Sequence, residues 1–187
     1  MADSINLTHQ FLIAMPNMVD AIFAGTVVYV CEHNERGALG LVINRPTDLN
    51  LQTLFERIEL SLDIEPLAAQ PVLFGGPVQA DRGFVLHEAM GSYMSSLMIT
   101  DKLEMTTSKD VLEAIGQGQG PKRLLVTLGY AGWSAGQVEE EIANNGWLTV
   151  EADERIIFDV PIEERFNAAI RLLGFDPAML SGEAGHA

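Results

Sequence analysis

The spacing of apolar residues changes several times along the chain, and each change marks an element. Phe11 to Met15 is a short apolar run stopped by Pro16, which predicts a first strand. Thr26 to Glu32 is β-branched and aromatic, and after the polar loop His33 to Gly37 the run Ala38 to Asn44 resumes that character. Two such runs across a short Gly-containing loop predict a hairpin. The period then lengthens. Leu51, Leu54, Phe55 and Ile58 share one helical stripe, with Asn50 placed to cap it. Val72 to Phe74, Phe84 to His87 and Ser96 to Thr100 predict short strands between glycine-containing breaks. Val111, Leu112 and Ile115 begin a second helix, ended by Gly116 and Gly118.

Leu124 to Leu128 reads as a buried strand, Gln137 to Asn145 as a helix and Trp147 to Val150 as a strand. The last helix is expected over Ile162 to Leu173. Pro161 suits its start, Ile162, Phe166, Ala169, Ile170 and Leu173 form its stripe, and Gly174 ends it. Ser181 to Ala187 is a small, polar tail expected to fray. A parallel doubly wound sheet would need a crossover helix after nearly every strand. The expected fold class is therefore α+β: a single domain over residues 1–187, with a mixed, largely antiparallel sheet, bent or barrel-like, and helices packed outside it.

Composition narrows the partners. Apolar residues make up 48% of the 187, which suits a folded core and excludes a disordered chain. Against 26 Asp and Glu stand 11 Lys and Arg, for a formal charge of −15. Duplex DNA and anionic lipid repel such a surface, and the sequence contains no basic patch to override the field. The single cysteine, Cys31, excludes an internal disulfide framework and suits a reducing compartment. No export signal or membrane-length apolar run is visible, so a cytoplasmic location is expected.

One motif has catalytic form. Gly132-Trp133-Ser134-Ala135-Gly136 matches the G-x-S-x-G elbow, between an expected strand and an expected helix. A serine nucleophile needs a base, and the only histidine after it is His186, in the tail. Ser134 also lies three residues before Gln137, the spacing of a capping box, and that is the preferred reading. Cys31 and His33, two apart on a strand, could share a face as metal ligands but lack a third of suitable spacing. Gly75-Gly76-Pro77 and Gly118-Gln119-Gly120-Pro121 lack the Walker and dinucleotide patterns and read as turns. His87, at the end of an expected strand, reads as structural. Arg45, Arg82 and the Gly129-Tyr130-Ala131-Gly132-Trp133 segment lie at strand ends, where side chains can meet a ligand or pack.

Taken in order, several segments resemble the AlgH/YqgE family of bacterial proteins. They are Phe11 to Pro16, Gly37 to Pro46, Gly75 to Val78, Asp81 to His87, and Gly129 to Trp133 running through Gly136-Gln137, with the match extending to Ala152-Asp153. The resemblance implies one domain with a strongly bent sheet and no established enzymatic activity. One branch is linked by name to positive regulation of alginate production, which implies a transcriptional role. It supplies no catalytic residues, and its Gly-Trp-x-x-Gly-Gln pattern need not carry serine at position 134. No helix-turn-helix is visible, so such a role is expected to be indirect.

The expectation is a non-enzymatic cytosolic binding or regulatory protein acting through a protein or small-molecule partner, without a cofactor, metal or membrane. Its expected site is the rim where Arg45, Gly76, Arg82, Tyr130 and Trp133 converge. The alternative is a serine hydrolase using Ser134.

Overall fold

The computed structural model describes residues 5–18 and 20–178. The expected frayed tail, residues 181–187, lies outside them. Ten strands form one sheet: β1 (Gln10–Ala14), β2 (Val27–Asn34), β3 (Gly37–Val42), β4 (Pro46–Asn50), β5 (Pro71–Phe74), β6 (Val78–Glu88), β7 (Ser96–Met98), β8 (Leu103–Thr106), β9 (Leu124–Ser134) and β10 (Trp147–Glu151). Around it pack α1 (Leu51–Arg57), α2 (Asp110–Gly116), α3 (Gln137–Ala143), α4 (Glu154–Phe158) and α5 (Arg165–Leu172). The class is α+β.

Strand order is β10-β1-β2-β3-β9-β6-β8-β7, with β5 joining β4 to β9, and the sheet curls into a half-barrel. β5 against β9 is parallel, and the other described pairs are antiparallel. Both faces of the sheet are covered. Phe11, Ile13, Val27, Tyr29, Cys31 and Leu41 enter one core, which α4 and α5 cover through Ile156, Ile157, Ala169 and Ile170. Leu12, Ala14, Val28, Val30 and Val42 alternate into a second core, with Trp133, Val138 and Trp147. This double burial is why β1 and β2 read as continuous apolar runs rather than alternating ones. A third core lies under α1 and α2, around Leu51, Phe55, Val85, Val111, Ile115 and Val126.

The expected hairpin forms as β2 and β3. Asn50 caps α1, accepting the Thr53 N–H on Oδ1 at 2.9 Å, a contact worth about 1 kcal/mol. Several elements differ from expectation. β6 begins six residues before Phe84, because its first half is polar and exposed. β4 and β8 were not expected: β4 starts with a proline and carries polar side chains, and Leu103–Thr106 places Glu104 and Thr106 inside. The last helix divides into a 3-10 turn at Ile162–Glu164 followed by α5, and α4 precedes it with Asp153 as its cap.

Arg165 explains where α5 docks. Its guanidinium is buried, with Nε donating to Val160 O at 2.9 Å and Nη1 to Ile43 O at 2.7 Å. Burial lowers its pKa to about 10. The helix is thereby tied to the segment between β3 and β4.

A cleft beside Tyr130 as the candidate functional site

β9 organises the site. Its first half lies between β5 and β6, while Ala131 to Ser134 pair with β3. The change of partner falls at Gly129, which has φ +78°. A Cβ there would lie 2.2 Å from Gly76 O, and a Cβ on Gly76 would lie 2.1 Å from the carbonyl carbon of Tyr130. The glycines at both positions therefore let two backbones touch. They also hide the strand from its hydrophobic pattern, which stops at Leu128.

β6 departs from β9 at the same level. Val78 pairs with Tyr130 and Gly83 with Leu128, so residues 79–82 loop outward from the ladder. Gln79 takes φ +48°, and its Oε1 accepts from Arg82 Nη1 at 3.3 Å. Arg82 also lies over the Phe84 ring, 5.8 Å from its centroid, and Phe84 meets Tyr130 edge-on at 5.4 Å. Arg82, Phe84 and Tyr130 thus form a continuous stack.

Beyond the point where β6 leaves, an open cleft of about 570 Å³ remains. Glu32, Asn34 and Arg36 of the β2–β3 hairpin form one wall, and Leu39, Val78, Tyr130 and Gly132 lie along the strands. Leu39 and Tyr130 also pack against the first core, so the cleft is where that core meets solvent. Other hollows have volumes of about 580, 450 and 600 Å³, so size does not distinguish this one. Its distinction is that the motif residues gather beside it.

The five expected rim residues divide. Gly76, Arg82 and Tyr130 come together as described. Trp133 borders the cleft, but its indole packs on Phe23 and Trp147 at centroid distances of 6.0 and 6.1 Å in the second core. Arg45 is close through its backbone, since its carbonyl accepts from Phe74 N at 2.8 Å. Its guanidinium turns elsewhere, donating to the carbonyls of Ile22 and Ala24 and fastening that loop.

Ser134 does not take the conformation of an elbow: the described non-glycine residues with positive φ are His9, Glu59, Gln79 and Asn145. Its Oγ lies 3.3 Å from Gln137 Oε1, which also accepts the Ser134 N–H at 3.0 Å. Only one half of the expected capping box therefore forms. The N-cap of α3 is Gly136, because Gln137 is the first helical residue rather than the third. Gln137 Nε2 donates in turn to Glu141 Oε2 at 2.9 Å, and both tryptophan indoles donate to Glu141 Oε1.

Cys31 and His33 face opposite sides of the sheet. A bulge between Val30 and Glu32 inserts one residue and reverses the alternation. Cys31 enters the first core, where burial pushes its thiol well above the usual range. His33 Nδ1 accepts the Leu7 N–H at 3.0 Å, so the neutral ring carries its proton on Nε2. Nε2 lies 3.1 Å from Glu139 Oε2, close enough for electrostatic contact but off line for a hydrogen bond.

A family model described as AlgH-like matches residues 11–178. The chain belongs to the AlgH-like family. It is 73% identical over 183 residues to a UPF0301 protein of Ralstonia nicotianae, covering 98% of this chain and 96% of the relative. A UPF0301 protein of Burkholderia cenocepacia is 70% identical over 188 residues, covering 100% and 98%. The solution structure of the AlgH protein from Pseudomonas aeruginosa superimposes with a TM-score of 0.80 at 50% identity, covering 100% and 99%. A crystal structure from Corynebacterium diphtheriae shares the fold alone, with a TM-score of 0.70 at 19% identity, covering 91% and 89%.

In this AlgH-like chain, sequence reasoning missed the hairpin wall of the cleft, Glu32, Asn34 and Arg36. Only the bulge brings Glu32 beside Leu39, and nothing in the apolar pattern marks that bulge. Among the described residues no group of three or more His, Cys, Asp or Glu is arranged to hold a metal ion. None of their helices is long and apolar enough to cross a membrane.

Proposed function

We propose that this AlgH-like protein is a non-enzymatic binding and regulatory protein that takes a small ligand or a segment of a partner protein in the Tyr130 cleft. The observation that carries this reading is the opening of the first core at Leu39 and Tyr130, with Val78 beside them, beneath a rim bearing Glu32 and Arg36. Partly exposed apolar side chains on rigid strands, facing the polar wall of Glu32, Asn34 and Arg36, suit recognition of a ligand with both apolar and polar groups. The backbone contact at Gly76 and the Arg82–Phe84–Tyr130 stack hold that surface in place before anything binds. A preformed surface loses little entropy on binding.

A charge of −15 opposes direct contact with DNA, which supports regulation through a protein or small molecule in the cytoplasm. Arg45 and Trp133 act as supports in this reading: one fastens the Ile22–Ala24 loop and the other anchors α3. Their replacement would disturb the fold as well as the site.

Gly132→Val is the sharper test. Gly132 is exposed, and a Cβ there meets the Tyr130 ring at 3.3 Å and, at an ordinary contact distance of 3.8 Å, Val78 Cγ2. Valine favours a strand and narrows the cleft. In quantitative affinity capture from cell extract, partners recovered by the wild type should be lost from a folded Gly132→Val variant. Equal recovery by both would place recognition elsewhere.

A further inference from the structure

β6, β8 and β7 carry a second polar cluster, none of whose residues lines the Tyr130 cleft. His87 is fully buried, with Nδ1 2.7 Å from Glu88 O. A carbonyl only accepts, so Nδ1 carries a proton. In the neutral ring, Nε2 then accepts from Thr106 Oγ1 at 2.8 Å. That uses the hydroxyl proton of Thr106, so Ser96 Oγ must donate to Thr106 Oγ1, 2.7 Å away. Every donor in this chain is committed.

Glu104 sits among them without a partner. It faces His87 on one neighbouring strand and Met98 on the other, and it is only 7% exposed. Its carboxylate makes no hydrogen bond or ion pair with any described residue, exposed Lys102 and Lys109 included. Its oxygens still reach solvent, so water serves them in the free protein and a cation brought to this face meets a charge that no described group neutralises. Tyr93 lies nearby, its phenol raised first by burial and then by Asp110 and Glu104.

The surroundings indicate what could supply it. β7 is the last strand in the sheet order and, among the described residues, pairs only with β8, so no described strand lies along its outer edge. Met94, Met98 and Met90 are 90%, 58% and 41% exposed around it. Exposed methionines make adaptable apolar contacts.

We propose that the β7 edge docks an extended, apolar segment of a partner protein bearing a lysine or arginine that pairs with Glu104. The segment adds a strand to β7, which satisfies the edge backbone groups. From that position Glu104 is two strand spacings away, about 10 Å. A long basic side chain crossing Met98 and the glutamate side chain together span this gap. Its apolar side chains contact the methionines. This surface is independent of the Tyr130 cleft.

The test is a titration of the full chain, isotopically labelled on backbone amides and methionine methyls, with a short capped peptide of alternating lysine and valine. Shifts should concentrate on Ser96 to Met98 and on the methyls of Met94 and Met98. Glu104→Gln should weaken binding about tenfold while keeping the spectrum of a folded protein. Met98→Lys, at an exposed position, should weaken it comparably by repulsion. A matched peptide of glutamate and valine should give no shifts. Shifts centred elsewhere, unchanged affinity in Glu104→Gln, or equal binding of the acidic peptide would each overturn the proposal.

Discussion

The indole N–H of Trp133 donates to Glu141 Oε1 at 3.0 Å, joining the strand that borders the cleft to the helix that follows it. Trp147 donates to the same oxygen at 2.9 Å, so one carboxylate of α3 serves two indoles, each less than a tenth exposed. Glu141→Ala removes the acceptor for both and is expected to destabilise the protein by about 2–4 kcal/mol. Glu141→Gln keeps an acceptor oxygen and should cost less. Urea unfolding followed by fluorescence reads this directly, since Trp133 and Trp147 are the only two tryptophans.

Cys31 offers a clean probe of global opening. It is fully buried beneath the first core and its thiol is held in the protonated form, whereas attack on a disulfide reagent requires thiolate. The native protein is expected to resist a chromogenic disulfide reagent at neutral pH and to release one equivalent on unfolding. Rapid labelling of the native protein would show that β2 opens locally.

Alkaline pH should expose the burial of Tyr29. Its hydroxyl meets His9 Nδ1 at 2.8 Å, and desolvation raises its pKa far above the ordinary 10.0. The folded state keeps this proton while the unfolded chain loses it. The stabilisation is therefore complete below pH 10 and declines as the pH rises beyond it, by about 1.4 kcal/mol per unit. Arg165, lowered to about 10, acts oppositely, because the folded state releases its proton first. The stability difference between wild type and Tyr29→Phe isolates the tyrosine and should shrink above pH 10.

Two glycines beside the cleft should respond differently. Gly76→Ala places a methyl against the Tyr130 backbone and should cost about 1–3 kcal/mol or more through strain. Gly132→Val has only a side chain to displace and should leave stability within about 0.5 kcal/mol. Thermal unfolding of the two variants would check the contrast. Equal losses would mean that the Gly76 contact is not a support.

Much of the fold was legible where hydrophobic spacing and punctuation agreed. The β2–β3 hairpin, the Asn50 cap and the bent, mainly antiparallel sheet follow from local chemistry. The long central strand was half legible, because Gly129 and Gly132 interrupt its pattern while serving close packing and an open surface. At the site, Gly76, Arg82 and Tyr130 were identifiable as strand-end residues, and the structure brings them together. The sequence could not separate Trp133 and Arg45 from them, since a supporting residue and a contacting one look alike before the face of the strand is known. The hairpin wall depends on the bulge at Cys31, and Glu104 on donors committed by His87 and Thr106. Both are tertiary facts without a local signature.

The most direct test of the Tyr130 cleft is hydrogen exchange on the protein with its captured partner bound. Protection is expected over residues 32–39 and 130–134, and it should disappear in Gly132→Val. Protection confined to other segments, or unchanged in that variant, would contradict recognition at the cleft.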